Sequence, residues 1–431
     1  DQSTQGTKAL VFDSSGKLKA RAYKSHRQLV NEKGWVEHDP EELLSNVAEV
    51  CREAISKAEV SSSSIAAVGI TNQRETTLMW NRVTGKPIAN AVVWQCSRAK
   101  EICQRKEIAS FGERIKSRTG LTLSPFFPAA KAAWLMENIP EARELSKDGR
   151  LCCGTIDSWL IYSLTEEKNF FTDVSNASRT QLFNIWTLQW DKDICSLFGV
   201  PVSSLPEVHM SDHSFGSTRL FGILDKPVPI CAVMGDSHAA LWGQRCFNAG
   251  DIKATYGTGS SVMMNTGETP IIADNGLVTS LAWGFGGKIN YVVEGNINYT
   301  GSVITWLKND VKLIETDSQA TALAFESNPN DKTYFVPAFT GLGTPYWDSG
   351  ATGMFTGFSR TTGKNEIVRA CLDCIAYQIT DLVQRMREGS VMSVKRLRAD
   401  GGPTASEYLM QFQSDISNAA VSVPEIAEIS G

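Results

Sequence analysis

The sequence predicts an α/β protein made of two related halves, on three observations. Apolar runs of strand length alternate with amphipathic helical stretches, and a hairpin rich in Gly, Ser and Thr heads each half. Polar residues follow the apolar strands, where open sheets usually bind ligands. In order, DQSTQGTKALVFD (1–13) sets small and polar residues ahead of Ala9-Leu10-Val11-Phe12, and DSSGKL (13–18) turns into a second strand, KARAY. This predicts a hairpin with one tight Gly/Ser/Thr turn. Asp39-Pro40 marks the start of an amphipathic helix running to about Lys57. Residues 65–70 read as a buried strand ending in TNQRE, and 131–136 as helix. MGDSHAAL (234–241) follows the apolar run 230–233, so a helix is expected to begin near Asp236. IKATYGTGSSVMMNTGE (252–268) repeats the opening hairpin pattern, and 366–385 is a long helix. The boundary between halves falls near 244–250. The repetition suggests a duplicated unit with a nucleotide held in the cleft between the copies.

At 431 residues, two or three domains are expected. A composition of 42% apolar and 21% charged residues is that of a folded globular chain. A formal charge of −5 supplies no basic field for nucleic acid or an anionic membrane, so a small-molecule ligand is favoured. No apolar run approaches the roughly 18 residues of a membrane span, and no leader pattern stands at the start. The ten cysteines show no metal-type spacing, so plain buried thiols in a reducing cytoplasm are expected. The chain opens on Asp1 without a preceding strand and stops at residues 428–431 without a closing helix. Elements of the complete protein are therefore expected beyond both ends.

Turns of Gly, Ser and Thr present backbone N–H groups, which suit phosphate oxygens. Asp236 at a helix entrance is held ionised, either simply to start the helix or to act as a base. Ser237 and His238 are sequence neighbours on a helix and face different sides, so a direct nucleophile–base dyad is not expected. Nor does a G-x-S-x-G elbow surround Ser237, which disfavours a hydrolase. In TNQRE, Arg74 offers a fork of donors and Glu75 offers acceptors, a match for vicinal hydroxyls or else a surface ion pair. Trp94, in VVWQCSR, is either an apolar wall for a carbon chain or a core residue. Asp400-Gly401-Gly402 and GLGTP (341–345) are plain turns, or they leave room for a flat base to approach the backbone.

Taken together and in order, these pieces resemble the FGGY family of carbohydrate kinases, most closely its glycerol kinase branch. The resemblance runs through GWVEHDPEEL (34–43), GITNQRETT (69–77), VVWQCSR (92–98), TDVSNASRTQLFNI (172–185), YGTGSSVMMNTGE (256–268), VPAFTGLGTPYWD (336–348) and LMQFQSDI (409–416). Two family signatures appear in 126–138 and 353–373, departing at Ala132 and Phe358. The resemblance implies two ribonuclease H-like domains of the actin and sugar-kinase type, residues 1–246 and 247–431, with an interdomain nucleotide cleft. It implies ATP-dependent phosphorylation of a primary hydroxyl of a small polyol, with Asp236 as general base. Arg74, Glu75, Trp94, Phe126, Ser237 and Ser261 would then meet the polyol. Thr4, Gln5, Lys8, Gly257 and Thr258 would surround the phosphates, and Gly301, Gly402 and Ser406 would border the adenosine. Asp1 and Asp236 would lie near Mg2+. The resemblance also implies a homo-oligomer, dimer or tetramer.

Five positions depart from that branch. Phe126 stands for a tyrosine, Ser237 for a glutamine, Ser261 for a phenylalanine, Lys8 for an arginine and Ser406 for an asparagine. Lost bulk and lost hydrogen bonds leave open an acceptor larger than glycerol: a tetritol, a pentitol or a ketose such as ribulose or xylulose. A nucleotide-dependent switch on the same fold is the other alternative. It would have no use for an Arg-Glu pair and a base facing a second ligand.

Overall fold

The computed structural model describes residues 1–274, 276–348, 350–390 and 394–424. Two compact units emerge, Asp1–Ala240 with Ser280–Asn290, and Leu241–Thr279 with the described residues from 291 to 424. Residues 428–431, where no closing helix is expected, lie outside the described residues.

In the first unit, Gly6–Phe12 pairs antiparallel with Leu18–Ser25. The turn expected at 13–18 joins them, and a second turn precedes the first strand. Asp13 joins the strands, its Oδ1 accepting from the amides of Ser15 and Lys17. The Ser3–Gly6 turn comes earlier, between Gln2 and Thr7, which bridge antiparallel. The small residues cluster there because a Cβ on Gly6 would stand 2.5 Å from the Tyr23 ring and 2.7 Å from the Lys24 carbonyl. The helix Pro40–Lys57 matches its expected bounds. Asp39 accepts from the Glu41 amide, and Leu43, Val47, Val50 and Ala54 recur on its buried face.

The strand expected at 65–70 is Val68–Asn72. A 3-10 turn at Ser62–Ser64, closed by Ile65, occupies the chain before it. Nor is the strand uniformly buried, since Gly69 is exposed. It lies parallel to Val228–Gly235, with Met234 opposite Thr71 and Gly235 opposite Asn72. Sidedness also corrects the cysteine expectation. Cys231 faces solvent on that second strand, and Cys51 and Cys103 are only half-buried. The unit also holds a five-stranded antiparallel sheet, in the order Leu29–Val30, Val36–His38, Ala91–Val92, Thr77–Asn81, Leu151–Thr155.

In the second unit, consecutive sheet neighbours are Lys288–Ile297, Ser260–Gly267, Ile252–Tyr256, Arg396–Asp400 and Ala420–Ser422. Ile252–Tyr256 and Ser260–Gly267 form the second expected hairpin. The long helix runs Lys364–Ser390, beyond the expected span at both ends. Its face of Val368, Cys371, Leu372, Ile375, Ile379 and Leu382 lies in the unit's apolar core. Among the described residues no helix is long and apolar enough to cross a membrane.

Candidate active site

Parallel pairing brings the ends of Val68–Asn72 and Val228–Gly235 side by side, so Gln73-Arg74-Glu75 and Asp236-Ser237 leave the sheet together. The helix Asp236–Gly243 starts on the acid itself. Arg74 Nε lies 3.4 Å from Asp236 Oδ1, and its NH2 donates to Ser237 Oγ at 3.1 Å. The Ser237 amide also donates to Asp236 Oδ1, at 2.6 Å. Neither contact uses Oδ2. Glycine is required at 235 because a Cβ there would sit 2.7 Å from Arg74 Cγ. Asp236 keeps 30% of its side chain exposed, whereas Arg74 keeps 7%. The carboxylate is thus more open to solvent than its guanidinium partner. His238 is fully buried with Nε2 3.4 Å from Ser280 Oγ, away from any dyad with Ser237.

Arg74 and Glu75 do not form a surface pair with each other. Glu75 is buried, at the positive φ of 63° that glutamate rarely adopts, and takes a 2.6 Å bond from Arg179 Nε. Arg179 follows the short helix Val174–Ser178, which Asp173 caps through the Ser175 and Asn176 amides. That helix clamps both strand ends. Asn176 and Asn72 exchange amide hydrogen bonds of 2.9 and 3.1 Å, and Ser175 Oγ accepts from the Gly235 amide at 3.0 Å. Sequence reasoning gave Asn176 and Arg179 no role. The available signal was an N-capping Asp173 ahead of SNASR, a short polar helix with little to bury on its own.

Trp94 and Phe126 meet edge to face at 5.5 Å, both half-buried. Behind Phe126 the fully buried Lys131 donates to the Phe126 carbonyl. Desolvation pulls the Lys131 ammonium down to about 7. The other face of Trp94 reaches the first turn, its Nε1 donating to Thr4 Oγ1 at 2.9 Å. In that turn the carbonyls of Ser3, Thr4, Gln5 and Gly6 all accept hydrogen bonds from within the unit. No described residue accepts from the amides of Thr4 or Gln5. The turn therefore points N–H groups outward, as an anion nest does. Lys8 Nζ lies 3.8 Å from Asp1 Oδ2. The Gln5 side chain is exposed.

The second unit repeats the pattern. The Gly257 and Thr258 carbonyls accept from the amides of Gly301, Thr300 and Ser302, while no described residue accepts from the amides of Thr258 or Gly259. Gly301 begins the helix Gly301–Asn309, and a Cβ there would stand 2.6 Å from the Gly257 carbonyl. Ser261 Oγ donates to the buried Glu294 at 3.1 Å. A Cβ on Gly402 would meet nothing within 4 Å, while one on Gly401, at φ 100°, would sit 2.0 Å from the Tyr256 carbonyl. Ser406 caps the helix Glu407–Ser417 and accepts from Thr321 at 2.7 Å. Among the described residues no three His, Cys, Asp or Glu side chains gather into a metal-holding group.

The N-terminal domain of the FGGY family of carbohydrate kinases matches residues 1–243, and its C-terminal domain matches residues 252–430. The chain belongs to this family. Its fold is the family's two-domain, actin- and hexokinase-like arrangement, and its activity is that of an ATP-dependent sugar or polyol kinase. It is 45% identical over 428 residues to a glycerol kinase of Chromobacterium violaceum, covering 99% of this chain and 85% of that one. It is likewise 45% identical over 430 residues to glycerol kinase 1 of Thermotoga maritima, covering 100% and 87%. The solved Plasmodium falciparum glycerol kinase with ADP superposes at a TM-score of 0.94 and 36% identity, covering 100% of this chain and 86% of that one.

Proposed function

We propose that this FGGY kinase transfers the terminal phosphoryl group of ATP to a primary hydroxyl of glycerol or a closely similar polyol. The observation that carries the reading is the exposed Asp236 carboxylate held by Arg74 and the Ser237 amide beside the buried Glu75. Asp236 accepts the hydroxyl proton through an oxygen those contacts leave unused. Arg74 and Glu75 hold the neighbouring hydroxyls as donor and acceptor, and Trp94 and Phe126 line the carbon chain. The two turns with outward amides, Ser3–Gly6 and 257–259, take phosphate oxygens, with Lys8 beside the first. Gly301, the open face at Gly402 and Ser406 border the adenosine.

The donor set suits Mg2+, which is commonly held by one or two carboxylates and completes its shell with phosphate oxygens and water. Asp1 and Asp236 would hold it, and it would neutralise phosphate charge. Phosphoryl transfer asks the protein chiefly for alignment and charge stabilisation, and a positioned base adds about 10²–10⁴-fold. Free polyol and ATP as substrates favour the cytoplasm as the place of work. The dimer or tetramer that the resemblance implies is checked by light scattering.

A second reading, a tetritol, pentitol or ketose acceptor, draws on Ser261, whose short side chain is engaged by Glu294, and on Ser237, engaged by Arg74. ATP consumption measured over glycerol, tetritols, pentitols and ketoses decides between them. If kcat/KM is far highest for glycerol, the second reading is dropped. In Asp236→Asn, turnover falls about 10²–10⁴-fold while ADP binding persists. Undiminished turnover would remove Asp236 from its role.

A further inference from the structure

Behind the first turn lies a buried polar chain that the proposed chemistry does not use. Gln73 is 1% exposed, and its amide nitrogen lies 3.0 Å from Gln2 Oε1, 3.3 Å from the Ser3 carbonyl and 3.2 Å from His38 Nδ1. His38 is fully buried and meets His26 edge to face at 4.5 Å. His26 Nε2 lies 2.9 Å from the Thr4 carbonyl. That oxygen only accepts, so the His26 proton is on Nε2. The Gln73 nitrogen only donates, so His38 accepts at Nδ1 and carries its own proton on Nε2. Desolvation keeps both rings neutral, lowering His26 below its ordinary value and His38 to about 3. Gln28 Nε2 also approaches the Thr4 carbonyl, at 3.4 Å, but this side chain is exposed and its bond is the longer one.

We propose that His26 is a positioning residue for the nucleotide: its Nε2–H bond to the Thr4 carbonyl keeps the amide hydrogen of Gln5 turned toward a phosphate. The inference rests on the reading that phosphates sit on this turn. The peptide unit joining Thr4 to Gln5 is rigid, so pinning its carbonyl on one side aims its N–H to the other. Freed of the bond, the unit can rotate and offer the carbonyl oxygen to the phosphate instead. Gln73 ties this support to the strand end bearing Arg74 and Glu75, which makes the turn and the polyol residues parts of one buried network.

The test compares His26→Phe, which keeps the ring and loses the donor, with His26→Gln, whose amide reaches about as far as Nε2. In His26→Phe the KM for ATP rises about tenfold, the KM for glycerol and the melting temperature hold, and His26→Gln recovers most of the loss. An unchanged KM for ATP, equal rises for both substrates, or equal damage in the two variants would overturn the inference. The native protein gives a second measurement, independent of how the variants fold. Imidazole nitrogen spectra place the His26 proton on Nε2, and a proton found on Nδ1 alone would overturn it. Amide shifts of Thr4 and Gln5 that move with ADP but not adenosine support the underlying reading. If they ignore ADP in the native protein, the phosphate reading and with it the inference fall. If the Gln5 amide responds identically in His26→Phe, the inference alone fails.

Discussion

Replacing Arg179 with methionine should both destabilise the first unit and disable the acceptor site. Arg179 and Glu75 bond at 2.6 Å, with side chains only 1% and 3% exposed. Solvent screening is therefore slight, and removing one partner strands a buried charge. Breaking such a pair costs about 3–5 kcal/mol. At about 2–4 °C per kcal/mol for a unit of this size, the melting point should fall by about 6–20 °C. Scanning calorimetry measures it, with coupled ATP-consumption assays alongside. The double variant Glu75→Gln/Arg179→Met removes both charges, so much of the stability should return. Turnover should not, because the amide that replaces Glu75 is a weaker hydroxyl acceptor than the carboxylate. A melting point for Arg179→Met within about 2 °C of the parent would refute the argument that Glu75 depends on this partner. A double variant with parental kcat/KM would refute its link to the acceptor.

Gly401→Ala must displace the Tyr256 carbonyl from 2.0 Å at a φ unsuited to alanine, and should yield little folded protein on expression. Gly402→Ala meets open space, so its melting point should hold while the KM for ATP rises if adenosine lies there. Lys131 titrates near 7 when folded against 10.5 ordinarily, because burial disfavours its charge. Between those values the unfolded chain holds a proton that the folded chain lacks, so this residue's contribution to stability rises with pH. Lys131→Met should therefore gain on the parent in melting point as pH falls through this window. Asp157 is displaced the other way, up to about 7, first by desolvation and then by Asp173. Across 3.8 to about 7 the folded chain holds the extra proton, so its contribution falls with rising pH. Asp157→Asn should gain on the parent over that rise. Loss of one acceptor for the Thr155 and Thr172 hydroxyls adds a constant offset, which leaves the slope as the test.

The sequence was most legible where a single local force decides the structure. Asp39-Pro40 contains both the cap and the first-turn proline of its helix, and that helix ends where expected. The alternation around Gly-Thr-Gly-Ser-Ser suffices to specify a hairpin. The first hairpin was legible in the same way, DSSGKL joining its two strands, whereas the separate turn at Ser3–Gly6 shows only in the pairing of Gln2 with Thr7. The strand start at 65 misled because apolar content cannot distinguish a strand from the 3-10 turn that precedes it.

In the candidate site, the side chains whose type and place after a strand suggest chemistry were legible and their supports were not. Asp236, Arg74 and Glu75 follow strands and carry chemistry on their own. Asn176, Arg179, Gln73 and His26 matter only through partners far away in sequence: Arg179 reaches Glu75 across 104 positions and His26 reaches Thr4 across 22. No periodicity marks such pairings, because they arise when the parallel register sets Gly235 beside Asn72 and one short helix bonds to both. The order of dependence follows. Register sets the two strand ends, the helix Val174–Ser178 fixes their spacing, and Arg179 then aims the carboxylate of Glu75. A variant that loosens the clamp, such as Asn176→Ala, should impair Arg74, Glu75 and Asp236 together, whereas a change at Glu75 should leave Arg74 and Asp236 in place.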